Sequence, residues 1–226
     1  MIASSLITDG NMSARWGDPA EAEGNRRRFV RMQGWDPARL VMCSVPTPNG
    51  VVIRDVGTGE CGAAVGADAL VSDDPDVVLG LLTADCVPLV IQGERHIAIA
   101  HCGWESTHAR LPEAVVRALI SRGEEASMLA AQTGPAIAAA SYLQPVGAVS
   151  QRSDPRWQPF ITDTQEGTCI DVPGYVCAQL VEAGMEPGTI VRFDIDTYAD
   201  VRYFSHRRAR QKGEAQGRLL TLARIG

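Results

Sequence analysis

The sequence predicts a mixed α and β fold in a single domain. Two observations lead to this expectation: strand-like and helix-like segments alternate along the chain, and no internal repeat or low-complexity linker divides it. With 226 residues, of which 45% are hydrophobic and 21% charged, the chain is long enough to bury a sizeable core. We therefore expect residues 1–226 to form one α+β domain.

The first helix signal spans Pro19–Met32. Asp18 precedes it as an N-cap residue, Pro19 occupies the first helical position and Gly34 follows its end. This combination of capping residues predicts both ends of the helix.

Short apolar runs at residues 51–56, 69–72 and 77–82 predict strands. Residues 73–76, Asp-Asp-Pro-Asp, form a turn signal between the last two runs.

Residues 87–91 and 97–100 predict a β-hairpin, because apolar runs flank the polar segment 92–95. A two-residue loop and a four-residue loop centred there both pair Cys86 with His101. Directly paired residues of antiparallel strands share a face, with Cβ atoms about 4.5–5.5 Å apart. We therefore expect this thiol and this imidazole to share either a zinc or copper ion, or one proton as a nucleophile dyad.

After Trp104 the pattern predicts a helix that Ser106 or Thr107 caps and Gly123 ends. Residues 173–183 predict another helix, which begins after the capping residue Asp171. Residues 190–195 are strand-like.

Composition excludes several classes of protein. The net charge of −6 and the pI near 5.2 disfavour binding to nucleic acid through the overall charge. No apolar run approaches the roughly 20 residues that span a membrane, and the first residues lack the features of a secretory signal. The six cysteines show no zinc-finger or CxxC spacing, so we expect reduced thiols and a cytoplasmic protein.

The last thirty or so residues are basic although the whole chain is acidic. Arg207, Arg208 and Arg218 could bind phosphate or another anion there, or they could form a solvated surface. Tyr142 and Trp104 could stack on a purine ring, although buried aromatic residues more often belong to the core.

Several spaced motifs resemble one known family. TADCVP at 83–88 and HCGW at 101–104 are similar to the TADCxP and HAGW blocks of the YfiH-like laccase-domain proteins. That family was first described as multicopper polyphenol oxidoreductases. It is now understood as purine nucleoside phosphorylases with adenosine deaminase side activity, and one branch as a peptidoglycan editing factor. Further blocks follow in the family's order: ADALV at 67–71, GPAI at 134–137, FSHRR at 204–208 and GR at 217–218.

The resemblance implies a layered α/β/β/α sandwich with mixed sheets. It also implies small-molecule substrates, a purine nucleoside and phosphate, and a zinc or copper site held by Cys86, His101 and a histidine from a QVHG block. The matching segment here, residues 43–51, contains no histidine, and Pro46 or Thr47 takes its place. Two ligands should bind the metal weakly or not at all, since catalytic zinc normally has three protein ligands.

Two further departures concern Glu105, where the family has arginine, and His206, where it has tyrosine. Glu105 would repel phosphate, or it could stabilise the first turn of the next helix.

The leading hypothesis is a purine nucleoside phosphorylase with adenosine deaminase as a second activity. Cys86 and His101 would be its metal ligands and catalytic residues, with Asp85 as an acid/base or as a partner of the ligands. Arg207, Arg208 and Tyr142 would bind substrate. The alternatives are a metal-independent hydrolase or deamidase with Cys86 as nucleophile and His101 as base, and a divergent paralogue without catalysis.

Overall fold

A computed structural model describes residues 2–45 and 50–226. Its strands, in chain order, are β1 (Ile2–Ser4), β2 (Leu40–Ser44), β3 (Ile53–Asp55), β4 (Ala64–Gly66), β5 (Ala69–Ser72), β6 (Val78–Thr83), β7 (Val87–Gln92), β8 (Ile97–Cys102), β9 (Ala130–Thr133), β10 (Leu143–Gln144), β11 (Ile161–Thr164), β12 (Gly167–Ile170), β13 (Ile190–Val191) and β14 (Leu219–Ala223). The α-helices are α1 (Pro19–Met32), α2 (Trp104–His108), α3 (Leu111–Ser121), α4 (Val172–Glu182) and α5 (His206–Lys212). Short 3-10 helices, including Ala14–Trp16, join these elements.

Two mixed sheets form the centre of the fold. One has the order β1-β14-β6-β2-β4, and the other has the order β13-β9-β7-β8-β5-β3. A third, small sheet has the order β10-β12-β11. Both large sheets combine parallel and antiparallel pairs, such as β2 with β6 and β6 with β14.

Side chains alternate between the two faces of each sheet, and this alternation creates the layers. Val78, Leu220 and Leu222 of the first sheet pack against Phe29 and Val30 of α1. The opposite face of the same sheet packs on the second sheet through a separate apolar cluster, which includes Val41, Leu79, Leu81, Leu70, Val90 and Ile99. The outer face of the second sheet contacts α3 and α4 through a third cluster, which includes Leu89, Ile91, Val115, Leu119, Val176 and Leu180. The order of layers is therefore α/β/β/α, as expected.

Local capping signals predicted two helices well. Pro19–Met32 begins and ends where expected, and the Asp18 side chain accepts a hydrogen bond from the Glu21 N–H. Helix α4 begins one residue early, and the Asp171 carboxylate accepts the Gly174 N–H. Such caps contribute about 1 kcal/mol each.

The helix predicted after Trp104 is wrong in two respects. It is broken into α2 and α3, because Arg110 between them adopts a left-handed conformation with φ +70°. Ser106 and Thr107 do not cap it. Both lie buried within α2, and the Ser106 hydroxyl donates instead to the His101 carbonyl at 2.8 Å.

The strands predicted at 51–56 and 190–195 are shorter than expected, at Ile53–Asp55 and Ile190–Val191. Within the described part of the chain, no helix is long and apolar enough to cross a lipid bilayer.

Candidate functional site

Cys86 lies on a tight turn between β6 and β7, and Asp85 holds this turn in place. Asp85 has a φ of +85°, which costs a residue with a side chain about 1–2 kcal/mol. Its carboxylate accepts the Thr197 hydroxyl at 2.7 Å and the Arg207 N–H at 2.7 Å. Its backbone carbonyl accepts the Ile137 N–H at 3.0 Å. Contacts from three distant segments therefore stabilise the conformation that presents Cys86.

The predicted pairing of Cys86 with His101 is wrong by two residues. His101 pairs with Pro88, because the hairpin loop is residues 93–96 and Gln92 pairs with Ile97. Glu124 fixes this loop: its carboxylate accepts the backbone N–H groups of residues 94, 95 and 96 at 2.8–3.0 Å. An acceptor about thirty residues away along the chain thus sets the register.

A two-residue shift keeps Cys86 and His101 on the same face, since side chains alternate along a strand. Both approach Gly103. A Cβ atom added at Gly103 would lie 3.4 Å from Cys86 Sγ and 3.7 Å from His101 Cε1. The structure therefore brings the two predicted residues together beside Gly103.

Cys86 and His101 line a cavity of about 790 Å³ beside the first sheet. The other polar or aromatic side chains on its wall include Arg15, Trp16, Arg26, Thr83, His206 and Arg218. The cavity therefore combines a thiol and an imidazole with several cationic groups.

Both reactive groups are neutral at neutral pH. Burial, followed by the charge of Asp85, raises the pKa of the Cys86 thiol to about 11, although Arg218 opposes this shift. Burial and then Arg218 lower the pKa of His101 to about 4. A Cys–His nucleophile dyad depends on a thiolate stabilised by its surroundings, so these shifts disfavour the dyad. Neutral imidazole is the form that binds metals.

The donor set does not complete a catalytic metal site. Within residues 2–45 and 50–226, no three His, Cys, Asp or Glu side chains are arranged to hold a metal ion. Pro46 and Thr47, which align with the family's first histidine, lie outside the described residues. Cys43 lines the cavity, but its thiol donates to the Ala67 carbonyl at 3.2 Å, and burial raises its pKa to about 12. Two ligands, Cys86 and His101, fall one short of the usual three.

The other histidines have partners of their own. His96 Nδ1 is 2.8 Å from a Glu124 oxygen, and His206 Nδ1 is 3.0 Å from the Gln216 side-chain oxygen. His108 accepts the Trp157 indole N–H at 3.0 Å. None of them adds a third ligand beside Cys86 and His101.

Tyr142 and Arg207 form a stacked pair near Cys86 but do not line the 790 Å³ cavity. The Arg207 guanidinium carbon lies 4.9 Å from the Tyr142 ring centre, and its Nη1 donates to the Leu143 carbonyl at 2.8 Å. Burial raises the pKa of Tyr142, and the nearby Cys86 adds to that effect. The pair therefore flanks the thiol outside the cavity.

Arg208 is buried and fully engaged within the protein. Its guanidinium donates to the carbonyls of Thr197, Tyr198 and Tyr203 and to the Glu214 carboxylate. These contacts favour a structural role for Arg208, and its role as a substrate ligand stays a prediction.

Trp16 is a residue that the sequence analysis missed. The guanidinium carbons of Arg15 and Arg218 lie 5.4 and 5.3 Å from its ring centre, a distance typical of cation–π contacts. We call these three residues the Trp16 clamp. The adjacent Arg-Trp pair was the available signal, but a single such pair is common in sequences and has little specificity.

Gly217 allows Arg218 to reach this position. A Cβ atom at residue 217 would lie 2.4 Å from the Phe204 ring, so any other residue would collide with it. The Arg218 N–H also donates to the Asn11 side chain at 3.0 Å, which fixes the backbone. Glu105, in the first turn of α2, is close enough to contribute to the raised pKa of Cys86.

Comparison with known proteins identifies the same family that the sequence motifs at 83–88 and 101–104 resemble. Residues 2–226 match the family described as multi-copper polyphenol oxidoreductase laccase. The purine nucleoside phosphorylase ORF3 of Streptomyces griseus is 31% identical over 206 residues, which cover 88% of this chain and 81% of that protein. Adenosine deaminase RL5, from an unknown prokaryotic organism, is 38% identical over 77 residues, which cover 33% of this chain and 29% of that protein. The crystal structure of the hypothetical protein YfiH from Bacillus licheniformis has a TM-score of 0.85 and 25% identity, and covers 96% of this chain and 85% of that one.

Proposed function

This chain belongs to the multi-copper polyphenol oxidoreductase laccase family, and on that basis we propose that it is a purine nucleoside phosphorylase. The observation that carries the proposal is the cavity where Cys86 and His101 meet the guanidinium of Arg218. A volume of about 790 Å³ falls within the 300–1,000 Å³ range of small-molecule sites and has room for a nucleoside and an anion.

In this reaction a phosphate oxygen attacks the ribose C1′ atom and the bond from C1′ to the purine nitrogen breaks. The electron pair of that bond leaves with the base, which takes up a proton, and ribose 1-phosphate is the other product. Neutral His101 can donate or accept one hydrogen bond on the cavity wall, and the protonated Cys86 thiol can donate a weak one.

Asp85 acts in this proposal as a positioning residue. Each of its carboxylate oxygens already accepts a hydrogen bond, from Thr197 and from the Arg207 N–H. Such an arrangement suits a group that supports the Cys86 turn better than one that exchanges protons with substrate. Tyr142 and Arg207 lie outside the cavity, so they would contact only a part of the nucleoside that extends beyond it past Cys86.

Cys86 and His101 are the residues that would hold zinc or copper, and the phosphorolysis described above does not depend on the ion. The chain offers Cys86 and His101, and a two-ligand site would hold the ion weakly. The deaminase reaction needs a metal-bound water, and the similarity to the protein named adenosine deaminase covers only 33% of this chain. Phosphorolysis is therefore the better supported of the two activities.

A second candidate is a paralogue that keeps the cavity and binds a ligand without turnover. The specific observation in its favour is that residues 2–45 and 50–226 supply no third metal ligand beside Cys86 and His101. The same experiment separates the two proposals.

We would incubate the purified protein with inosine or adenosine, with and without phosphate, and follow free base and ribose 1-phosphate by chromatography. Zinc and copper are measured on the same preparation. We expect base release only with phosphate, its loss in His101→Ala, and its retention in Cys61→Ala, a thiol outside the cavity.

If no more than one molecule of free base is released per molecule of protein, the phosphorylase proposal is contradicted and the binding paralogue is favoured. Release of base without phosphate would point to a hydrolase, and conversion of adenosine to inosine would point to a deaminase.

A further inference from the structure

The Trp16 clamp holds two positive charges that lack carboxylate partners. Within the described residues neither Arg15 nor Arg218 forms an ion pair. Among the residues that the structure describes, the one side-chain hydrogen bond of Arg218 goes from Nη1 to the Gly217 carbonyl at 2.7 Å. Arg218 is half-buried, and burial lowers its pKa. A desolvated guanidinium without a counter-charge is unfavourable, and proteins usually neutralise one with an anion.

The rest of the cavity wall is also positive. Arg26 and Arg27 line it together with Arg15 and Arg218, and among the described residues Glu23 is the single carboxylate that faces them. Glu23 is already paired, at 2.8 Å with Arg26 and at 3.8 Å with Arg27. The wall therefore carries an excess of positive charge in a chain whose net charge is −6.

Thr83 provides an independent observation at the same wall. It is 2% exposed and lines the cavity, and its hydroxyl oxygen has no hydrogen-bond partner in the described part of the chain. The register of β6 with β14 pairs Thr83 with Leu219, directly after Arg218. An unpartnered buried hydroxyl is uncommon and costs roughly 1–3 kcal/mol unless a ligand or water satisfies it.

We propose that Arg15 and Arg218, held by Trp16 and joined by Thr83, form the phosphate-binding subsite of the cavity. Guanidinium groups bind tetrahedral oxyanions through paired N–H donors, and the Trp16 ring keeps both groups oriented. The assignment of the anion as phosphate rests on the proposed function. The chemistry of the subsite calls for an oxyanion, and the phosphate would be either free or attached to a nucleotide.

The subsite can be tested without catalysis. Inorganic phosphate is titrated into the protein while the heat of binding and the tryptophan fluorescence are recorded, because both guanidinium carbons lie within 5.4 Å of the Trp16 ring centre. We expect saturable binding in the wild type and a loss of at least about tenfold in affinity for Arg218→Met. Arg15→Met, at an exposed position, should weaken binding without harming the fold. Trp16→Phe should remove the fluorescence response.

The matched control is Arg202→Met, which removes one positive charge from an exposed Asp200 pair outside the cavity. It should bind phosphate like the wild type. Circular dichroism confirms that each variant folds. Titration with inosine 5′-monophosphate and with inosine then distinguishes free phosphate from a nucleotide phosphate as the natural source.

The results separate this subsite from the proposed function. Phosphate binding that depends on Arg15 and Arg218, without release of base, would keep the subsite and reject the phosphorylase. Phosphate-dependent release with an unchanged KM for phosphate in both arginine variants would keep the phosphorylase and overturn the subsite. Failure of the wild type to bind either phosphate compound would also overturn it.

Discussion

The carboxylate of Asp85 accepts the backbone N–H of Arg207 at 2.7 Å, across 122 residues of sequence. This bond joins the turn that carries Cys86 to the first turn of α5. The N-terminal end of a helix attracts a negative charge, so the contact combines a hydrogen bond with a favourable dipole interaction. The position of α5 is therefore coupled to the turn that presents Cys86.

Asp85→Asn should weaken this connection, because the amide is neutral and one of its two polar atoms is a donor. We expect a loss of about 1–3 kcal/mol in the free energy of unfolding, measured by urea denaturation. Asp73→Asn, on an exposed turn, should stay within about 0.5 kcal/mol of the wild type. If Asp85 transferred protons instead, the acid limb of the pH profile of kcat would disappear in Asp85→Asn.

Glu124 should make stability depend on pH. Burial raises the pKa of Glu124, but hydrogen bonds from His96 and from three backbone N–H groups outweigh it and lower the pKa to about 2. A lowered carboxyl pKa stabilises the fold above the unfolded value of about 4.5, and the contribution is lost as pH falls from there through about 2. At neutral pH the ionised Glu124 contributes roughly 3 kcal/mol to the free energy of unfolding.

Urea denaturation of wild type and Glu124→Gln at pH 7 and pH 3 checks this. The difference in unfolding free energy between the two should shrink at pH 3. Glu125→Gln, its exposed neighbour, should show no such change. A difference that stays constant between the two pH values would rule out ionised Glu124 as the cause.

Arg208 and Arg207 should respond differently to the same substitution. Arg208→Met removes the donor of three hydrogen bonds to backbone carbonyls, two of them buried, and should lower the unfolding free energy by about 2–4 kcal/mol. Arg207→Met keeps the backbone bond to Asp85 and should cost less than about 1 kcal/mol, while raising KM for the nucleoside. Thermal unfolding and steady-state kinetics distinguish them. Equal stability of the two variants would contradict the structural role of Arg208.

The Cys86 thiol should react slowly near neutral pH. Its pKa is raised to about 11, and the thiolate is the form that reacts with iodoacetamide. Peptide mass spectrometry of chelator-treated protein should show Cys86 alkylated more slowly at pH 7 in the folded protein than in the urea-unfolded protein, with a folded-state rate that climbs steadily toward pH 11. Faster alkylation of Cys86 at pH 7 would restore the nucleophile dyad as an explanation.

A third imidazole should restore metal binding. We expect Pro46→His or Thr47→His to raise the zinc content toward one ion per chain, since three protein ligands characterise catalytic zinc. Elemental analysis measures this, and Cys86→Ala in the same background should abolish the gain. Asn49→His, which does not align with the family's histidine, is the control. If neither substitution increases zinc, the missing imidazole is not what limits binding.

The sequence predicted those parts of the fold that short-range chemistry determines. Asp18 and Pro19 define the start of α1 within one turn of helix, so a reader of the sequence can place it. The register of the β7–β8 hairpin could not be found this way, because the acceptor that fixes its loop is Glu124. No pattern within residues 87–102 contains that information.

In the candidate site, too, local motifs predicted some residues, whereas others are brought together only by the fold. Cys86 and His101 were predicted because they belong to recognisable motifs on one hairpin. Arg15 and Trp16 were not, since their relation to Arg218 exists only once the two ends of the chain meet in the fold. For Arg208 the sequence shows that the residue is charged but does not show that its guanidinium donates to three backbone carbonyls.

Strand β14 lies between β1 and β6, so the last strand of the sequence completes a sheet that the first strand begins. The Ser4 and Thr221 hydroxyls meet at 2.9 Å, although 217 positions separate them along the chain. During synthesis β1 therefore stays unpaired until β14 has been translated. Such distant pairing slows folding, and an exposed strand edge invites association with other chains. We expect the ribosome-bound chain to depend on chaperones at this edge.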